Sequence, residues 1–211
     1  MVVLLPVFFF FFQLFRKIAG ELFSGIAGQL FTGIFAVSLV WAITAFFFPL
    51  NLKVELITII IGLVGFFYYK IYTQFWSFLR ESPPAFFVIL LFTIFFGSYY
   101  PFILDHFGYY VPTVKWLSEF GLVKGISNLD PTLGQMSAWH VLQAGFSNFS
   151  DPFLRLNSVL LIIYSIYIFE KKSWIHLVFL PFLFLFAQSP SPDLPVIVLS
   201  LILLNEILHT T

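Results

Sequence analysis

The stretch GIAGQLFTGIFAVSLVWAITAFFFP, residues 25–49, carries no charged side chain from end to end. Crossing about 30 Å of hydrocarbon takes about 20 apolar residues in a helix that rises 1.5 Å per residue. The stretch meets that length. A helix also bonds its own backbone N–H and C=O groups, which lets it sit where water is absent. Residues 25–49 are therefore predicted to form one membrane span.

The same pattern repeats outward from it. Residues 54–72 make a second apolar run, and Ser82-Pro83-Pro84 opens a third that continues as PAFFVILLFTIFFGSYYPFIL to Leu104. Serine followed by proline starts a helix well, because proline's missing N–H is not needed in the first turn. Three more apolar segments follow a long interruption, at residues 156–169, 174–187 and 194–208. Each is near the lower limit for a span, so each is either a short span inside a bundle or a re-entrant segment. The leading MVVLLPVFFFFFQLFRK has no basic stretch ahead of its apolar run and no small-residue cleavage site. It reads as a membrane or interfacial segment that stays attached, not as a secretion signal.

Composition agrees. Of 211 residues, 60% are hydrophobic, 9% are charged and 32 are phenylalanine. A soluble domain carries roughly 25% charged residues, so this chain lacks the polar shell that water requires. Its apolar excess is expected to face lipid. Ten basic and ten acidic residues cancel, which gives no electrostatic reason to bind nucleic acid. The absence of cysteine excludes disulfides and thiol catalysis. The expected fold is all-α, a multi-spanning transmembrane helical bundle of about six spans with a partly helical external loop, forming one transmembrane domain over residues 1–211.

Basic residues in short loops orient such a bundle. With Arg16 and Lys17 in the cytoplasm, Lys70, Arg80, Lys171 and Lys172 fall on the same side, and Lys53, Lys115, Lys124 and Arg155 on the other. This arrangement puts Asp105 and Asp193 together on the non-cytoplasmic face. Residues 105–155 then form an extracytoplasmic loop, where function often resides. Within it, Tyr109, Tyr110 and Trp116 suit the headgroup level. VPTVKWLSEFG reads as a short amphipathic helix ending at Gly121, with Lys115 and Glu119 as an i, i+4 pair. Asp130-Pro131 is a plausible start for a helix running through LGQMSAWHVLQAGF.

The run GLVKGISNLDPTLGQMSAW, preceded by D-x-x-x-Y-Y-x-x-x-x-K-W and followed by DPFLRLN and SPSPDLP, resembles bacterial membrane proteins related to the GT-C glycosyltransferases. The likeness has motif content over residues 100–200, whereas the first three spans match only as hydrophobic helices. It implies an enzyme of the bacterial plasma membrane that takes a sugar from a polyprenyl-phosphate-linked donor and passes it to a glycan or lipid acceptor. Members of that family are generally much longer, so the resemblance implies a fragment, a truncated product or a reduced relative.

In that family the usual catalytic candidate is an acidic residue in the first large external loop, and Asp105 matches by position. An aspartate at the mouth of a bundle can act as general base on an acceptor hydroxyl. The departing lipid phosphate needs positive charge nearby. Arg155 is the first choice, with Lys115 and Lys124 behind it, while Asp193, Asn128 and His106 complete the substrate-binding candidates. Membrane lipids are the remaining expected partner.

Each of these residues also has a plainer role. Asp105 can simply end a helix at the interface, Asp193 can cap the last helix, and Arg155 can reach a headgroup. Glu170, Lys171 and Lys172 read as a cytoplasmic turn. His106, His140, His176 and His209 lack ligand spacing, although His106 beside Asp105 leaves room for a divalent cation completed by phosphate. No nucleotide fingerprint or GxSxG is present, and no cofactor is expected. Two other functions stay open. One is a non-enzymatic partner or scaffold in envelope-polysaccharide assembly. The other is a small transporter, for which Glu55 and Glu206 are the ionisable residues nearest the apolar segments.

Overall fold

Local signals place most helix ends. Asn51 accepts the backbone N–H groups of Lys53 and Val54 at 3.1 and 3.4 Å and so starts a helix where Leu50 leaves the previous turn. Such a side-chain oxygen satisfies amide groups that no earlier turn can reach. In the computed structural model, residues 3–19 and 24–210 are described. The side chains of Lys17 and His209, both weighed in the sequence reading, lie outside that description.

The chain is all-α, with no strand among the described residues. In order, the helices are α1 (Leu4–Ala19), α2 (Ile26–Phe47), α3 (Leu52–Tyr68), α4 (Ile71–Glu81) and α5 (Pro84–Ser98). They continue as α6 (Val111–Phe120), α7 (Ala138–Gly145), α8 (Leu156–Lys171), the single turn α9 (Leu180–Leu183) and α10 (Asp193–Thr210). Of these, α2 is long and apolar enough to cross a membrane by itself, and α3 with α4 passes the same test only as a pair bent by 77°. The apolar stretches Leu4–Arg16, Pro84–Ser98 and Trp174–Phe186 are shorter.

α1 packs against both α2 and α3. A side chain at Gly33 would run into the Phe8 carbonyl, and one at Gly62 would meet Val7, so these glycines let α1 approach closely. α8 forms the centre of the molecule. Nearly all of its side chains are buried, against α2, α5 and α10. α7 is held on α2 by Trp41 and Phe146, whose ring centroids are 4.1 Å apart. Facing outward, Phe46, Phe47, Ile60, Val64, Leu91 and Phe95 are all exposed. Apolar exposure on that scale marks a surface that meets something other than water.

Four expected elements differ. The run 54–72 is not continuous, because Lys70 takes a left-handed conformation (φ 53°) and turns the chain into α4. The third apolar run leaves the helix at Ser98 instead of Leu104, where Pro101, two residues beyond the cap Tyr99, cannot donate to a helical ladder. Residues 174–187 form two 3-10 segments around α9, which carries Pro181. Asp130 starts only a 3-10 turn at Pro131–Gln135, accepting Thr132 N–H at 2.8 Å. α7 begins afresh at Ser137 with a capping box shared with His140. As expected, α6 stops at Gly121, which adopts φ 74°. Lys115 and Glu119 share that helix without forming an ion pair.

Candidate functional site

The start of α8 ties together loops that lie far apart in the sequence. Asn157 accepts the Trp139 indole N–H at 2.7 Å and donates to the carbonyls of Phe186 and Ser191 at 3.0 and 3.1 Å. Ser158 donates to the Ala187 carbonyl at 2.9 Å. One turn of α8 therefore fixes the loop 186–191 that leads to Asp193. Arg155 pins it further, donating to the Gln188 carbonyl and, at 2.9 Å, to that of Tyr99 beyond α5. Buried Asp151 supports this corner by accepting the Arg155 backbone N–H at 2.6 Å and the Gln143 amide at 3.0 Å. Burial raises the Asp151 carboxyl above its usual range, and the bonds from Gln143 and Arg155 oppose that rise.

Asp105 precedes a single turn of π-helix at His106–Tyr110, a wide turn often found at functional sites. That turn points His106 inward, where its Nδ1 lies 3.1 Å from the Ser189 hydroxyl. Burial, and then the nearby Arg155 charge, lower the His106 pKa to about 4, so the imidazole is neutral near pH 7. Tyr109, on the same turn, is held protonated above its ordinary range. Burial is the largest cause, followed by the adjoining Tyr110 hydroxyl and the carboxylates of Asp105 and Asp193. Asp193 is exposed and accepts the Ser191 hydroxyl at 2.8 Å. Asp105 is exposed one residue before the turn.

His140 adds a donor behind the tyrosines. Its Nδ1 accepts the Ser137 backbone N–H at 3.1 Å, which puts the neutral ring's proton on Nε2. Nε2 is buried and has no hydrogen-bond partner among the described residues, and the ring lies 5.1 and 5.7 Å from those of Tyr110 and Tyr109. Burial lowers its pKa to about 4.

Beneath this rim, an apolar cavity of about 660 Å³ runs between α1, α4, α5 and α8. Leu79, Phe86, Leu90 and Ile94 line its length, and Ser98, Ser158 and Arg155 make its polar end. From Phe86 to Ser98 it follows α5 for about 18 Å at 1.5 Å per residue.

His106 and Arg155 meet the 188–189 stretch that leads to Asp193, and Asp105 directly precedes His106. Lys115 is exposed on α6, and Lys124 and Asn128 are exposed on the excursion after it; none of the three bonds to the rim. No three His, Asp or Glu side chains gather into a metal-binding group among the described residues. Glu170, expected to lie in a plain turn, caps α2 from across the molecule by accepting the N–H groups of Ile26 and Ala27 at 2.7 and 3.1 Å. The two carboxylates that a transporter would use are engaged. Fully buried Glu55 accepts the N–H groups of Asn148, Phe149 and Ser150 at 2.8, 3.0 and 2.7 Å, and the Ser150 hydroxyl as well. Glu206 accepts the Tyr167 hydroxyl at 3.0 Å and lies 3.8 Å from the Lys171 ammonium.

Sequence reasoning missed Trp139, Asn157 and Ser189, placed Tyr109 only at the headgroup level and weighed Glu55 only as a transporter's carboxylate. Of these, Glu55 left a signal, being an acid one turn inside an apolar run with no basic neighbour facing it.

The fold and the rim together define an all-α protein with an acidic and aromatic mouth above an apolar cavity. The whole chain, residues 1–211, matches the model of a family described as a domain of unknown function (DUF8201), and it belongs to that family. No curated protein and no solved structure matches it.

Proposed function

We propose that this protein is a multi-spanning membrane protein of the bacterial plasma membrane that holds a polyprenyl phosphate and transfers the sugar it carries. The cavity ending at Arg155 is the observation that supports this reading best. An apolar channel of this size suits one hydrocarbon chain, and the single cation at its end suits a phosphate. Two of Arg155's guanidinium N–H bonds go to backbone carbonyls, and a guanidinium has five. A phosphate held there would place its sugar toward Tyr109, Asp105 and Asp193, on the non-cytoplasmic face. The apolar outward faces of α2, α3 and α5 support the lipid setting.

In this reading Asp105 takes the proton of an acceptor hydroxyl as that oxygen attacks the anomeric carbon. The bond from that carbon to the phosphate oxygen breaks, and the electron pair leaves on the lipid phosphate beside Arg155. Asp193 binds hydroxyls of the sugar or the acceptor. Lys115, Lys124 and Asn128, exposed away from the rim, take no part.

The test is binding of farnesyl phosphate and of farnesol to the protein in lipid nanodiscs. Farnesyl phosphate should bind at least about tenfold more tightly, a factor worth 1.4 kcal/mol, and Ile162→Trp, which fills the cavity, should abolish the difference. Equal binding of the two, or binding unaffected by the tryptophan, would sink the reading and favour a non-enzymatic partner in envelope-polysaccharide assembly. The internal bonds of Arg155 fit that second role.

A further inference from the structure

α4 does not continue the α3 span. Its inward residues Ile71, Phe75, Phe78 and Leu79 follow the spacing of an amphipathic helix and are buried or half-buried. Phe75 meets Phe9 with ring centroids 6.2 Å apart, and Phe78 meets Phe86 at 5.4 Å. Its outward residues Tyr72, Thr73, Trp76, Ser77, Arg80 and Glu81 line a shallow groove of about 430 Å³. Were α4 a span, this face would put an arginine, a glutamate and two hydroxyls against hydrocarbon, which costs several kcal/mol. The 77° bend at Lys70 removes that cost by turning the helix out of the direction of α3. Exposed Tyr68 and Tyr69 flank the bend, as aromatic residues do at a membrane surface.

The groove carries one cation and one acid that do not pair with each other. Arg80 lies over the Trp76 ring at 5.5 Å and forms no ion pair among the described residues. Glu81, the acid next to it, accepts the Ser77 hydroxyl at 2.9 Å. Lys70 at the bend is also exposed.

We infer that α4 lies in the plane of the membrane interface and that its Trp76–Arg80 groove seats the phosphate of an anionic lipid headgroup. The inference rests on the membrane reading above. An aromatic surface for the glycerol and upper chain beside a cation for the phosphate is what such a lipid presents a need for. The helix then floors the cavity with Phe75 and Leu79 while its other face meets headgroups.

The native chain has no cysteine, so single cysteines report cleanly. In nanodiscs, Thr73→Cys and Ser77→Cys should react with a water-soluble maleimide, whereas Ile60→Cys and Val64→Cys, on the exposed face of α3, should be protected. Protection of all four places the groove in hydrocarbon and overturns the inference alone. Reaction of all four overturns it together with the membrane reading. For the ligand, a bimane on Thr73→Cys should be quenched by brominated phosphatidylglycerol about fivefold more than by brominated phosphatidylcholine, the factor one basic side chain near an anionic surface supplies. Arg80→Gln should level the two. Equal quenching without that change, as for a groove that takes a protein partner, overturns the headgroup assignment. So does loss of the preference when inorganic phosphate is added, which would make this a free-phosphate site.

Discussion

The rim around Tyr109 and the buried frame beneath it use the same side chain, a carboxylate, in opposite ways. On the rim, Asp105 and Asp193 are exposed and retain acceptor capacity toward solvent. In the frame, Asp151 and Glu55 are almost wholly buried and occupied by donors, Glu55 by the N–H groups of a turn more than 90 residues on and Asp151 by the Arg155 N–H one turn ahead. A buried carboxylate is tolerable only when its oxygens are occupied, and it then fixes whatever occupies them. Glu55 holds the 148–150 turn, and Asp151 holds the start of α8. The fold brings the rim carboxylates few donors, the Ser191 hydroxyl on Asp193 being one. A carboxylate serves as scaffold where the fold brings it donors, and under the proposed function as reagent where the fold does not.

The sharpest way to break this contrast is Asp105→Asn. Sugar transfer should fall about 10² to 10⁴-fold, the usual worth of a general base, with the melting temperature unchanged. A large fall in melting temperature would put Asp105 in the frame. Glu55→Ala should do the reverse. Three N–H groups lose their acceptor, at about 1–3 kcal/mol each when left unpaired, and thermal unfolding in detergent should show a loss of about 3 kcal/mol or more. Unaltered stability would mean that water or rearrangement replaces the carboxylate, and the contrast would fail.

Gly25→Ala probes a second scaffolding acid. Gly25 has φ 110°, and a side chain there would strike the Glu170 carboxylate that caps α2. A loss of about 1–3 kcal/mol is expected from the strained backbone, and Glu170→Ala in the same background should make little further difference.

The smallest effect concerns pH. His106 binds its proton near pH 4 when folded, against an ordinary value of 6.5. The unfolded chain therefore takes up more protons between those values, and the His106 contribution to stability falls as pH falls through that window. His140 acts in the same direction, whereas the raised Asp151 carboxyl acts in the opposite one. The difference in melting temperature between the native protein and His106→Gln isolates the first term. It should shrink as pH is lowered from 6.5 toward 4, and a constant difference would count against a neutral, buried His106.

Sequence alone determined what depends on near neighbours. The charge-free run 25–49, the Pro84 start and the Gly121 stop all follow from side chains within a turn or two, and α2, α5 and α6 bear them out as helices. An all-α chain was legible because apolar runs of that length leave the backbone no other internal hydrogen bonding. The bend at Lys70, the division of 174–187 and the fresh start of α7 were not legible, since apolar composition reports burial and says little about helix continuity. Only the tertiary structure decided which polar groups meet. Glu170 reaches Ile26 and Glu55 reaches Ser150, and His106 finds Ser189 across 83 positions. Such pairs leave no periodic trace, because a hydrogen bond between distant segments depends on how helices pack, and packing is set by the whole set of side chains at once.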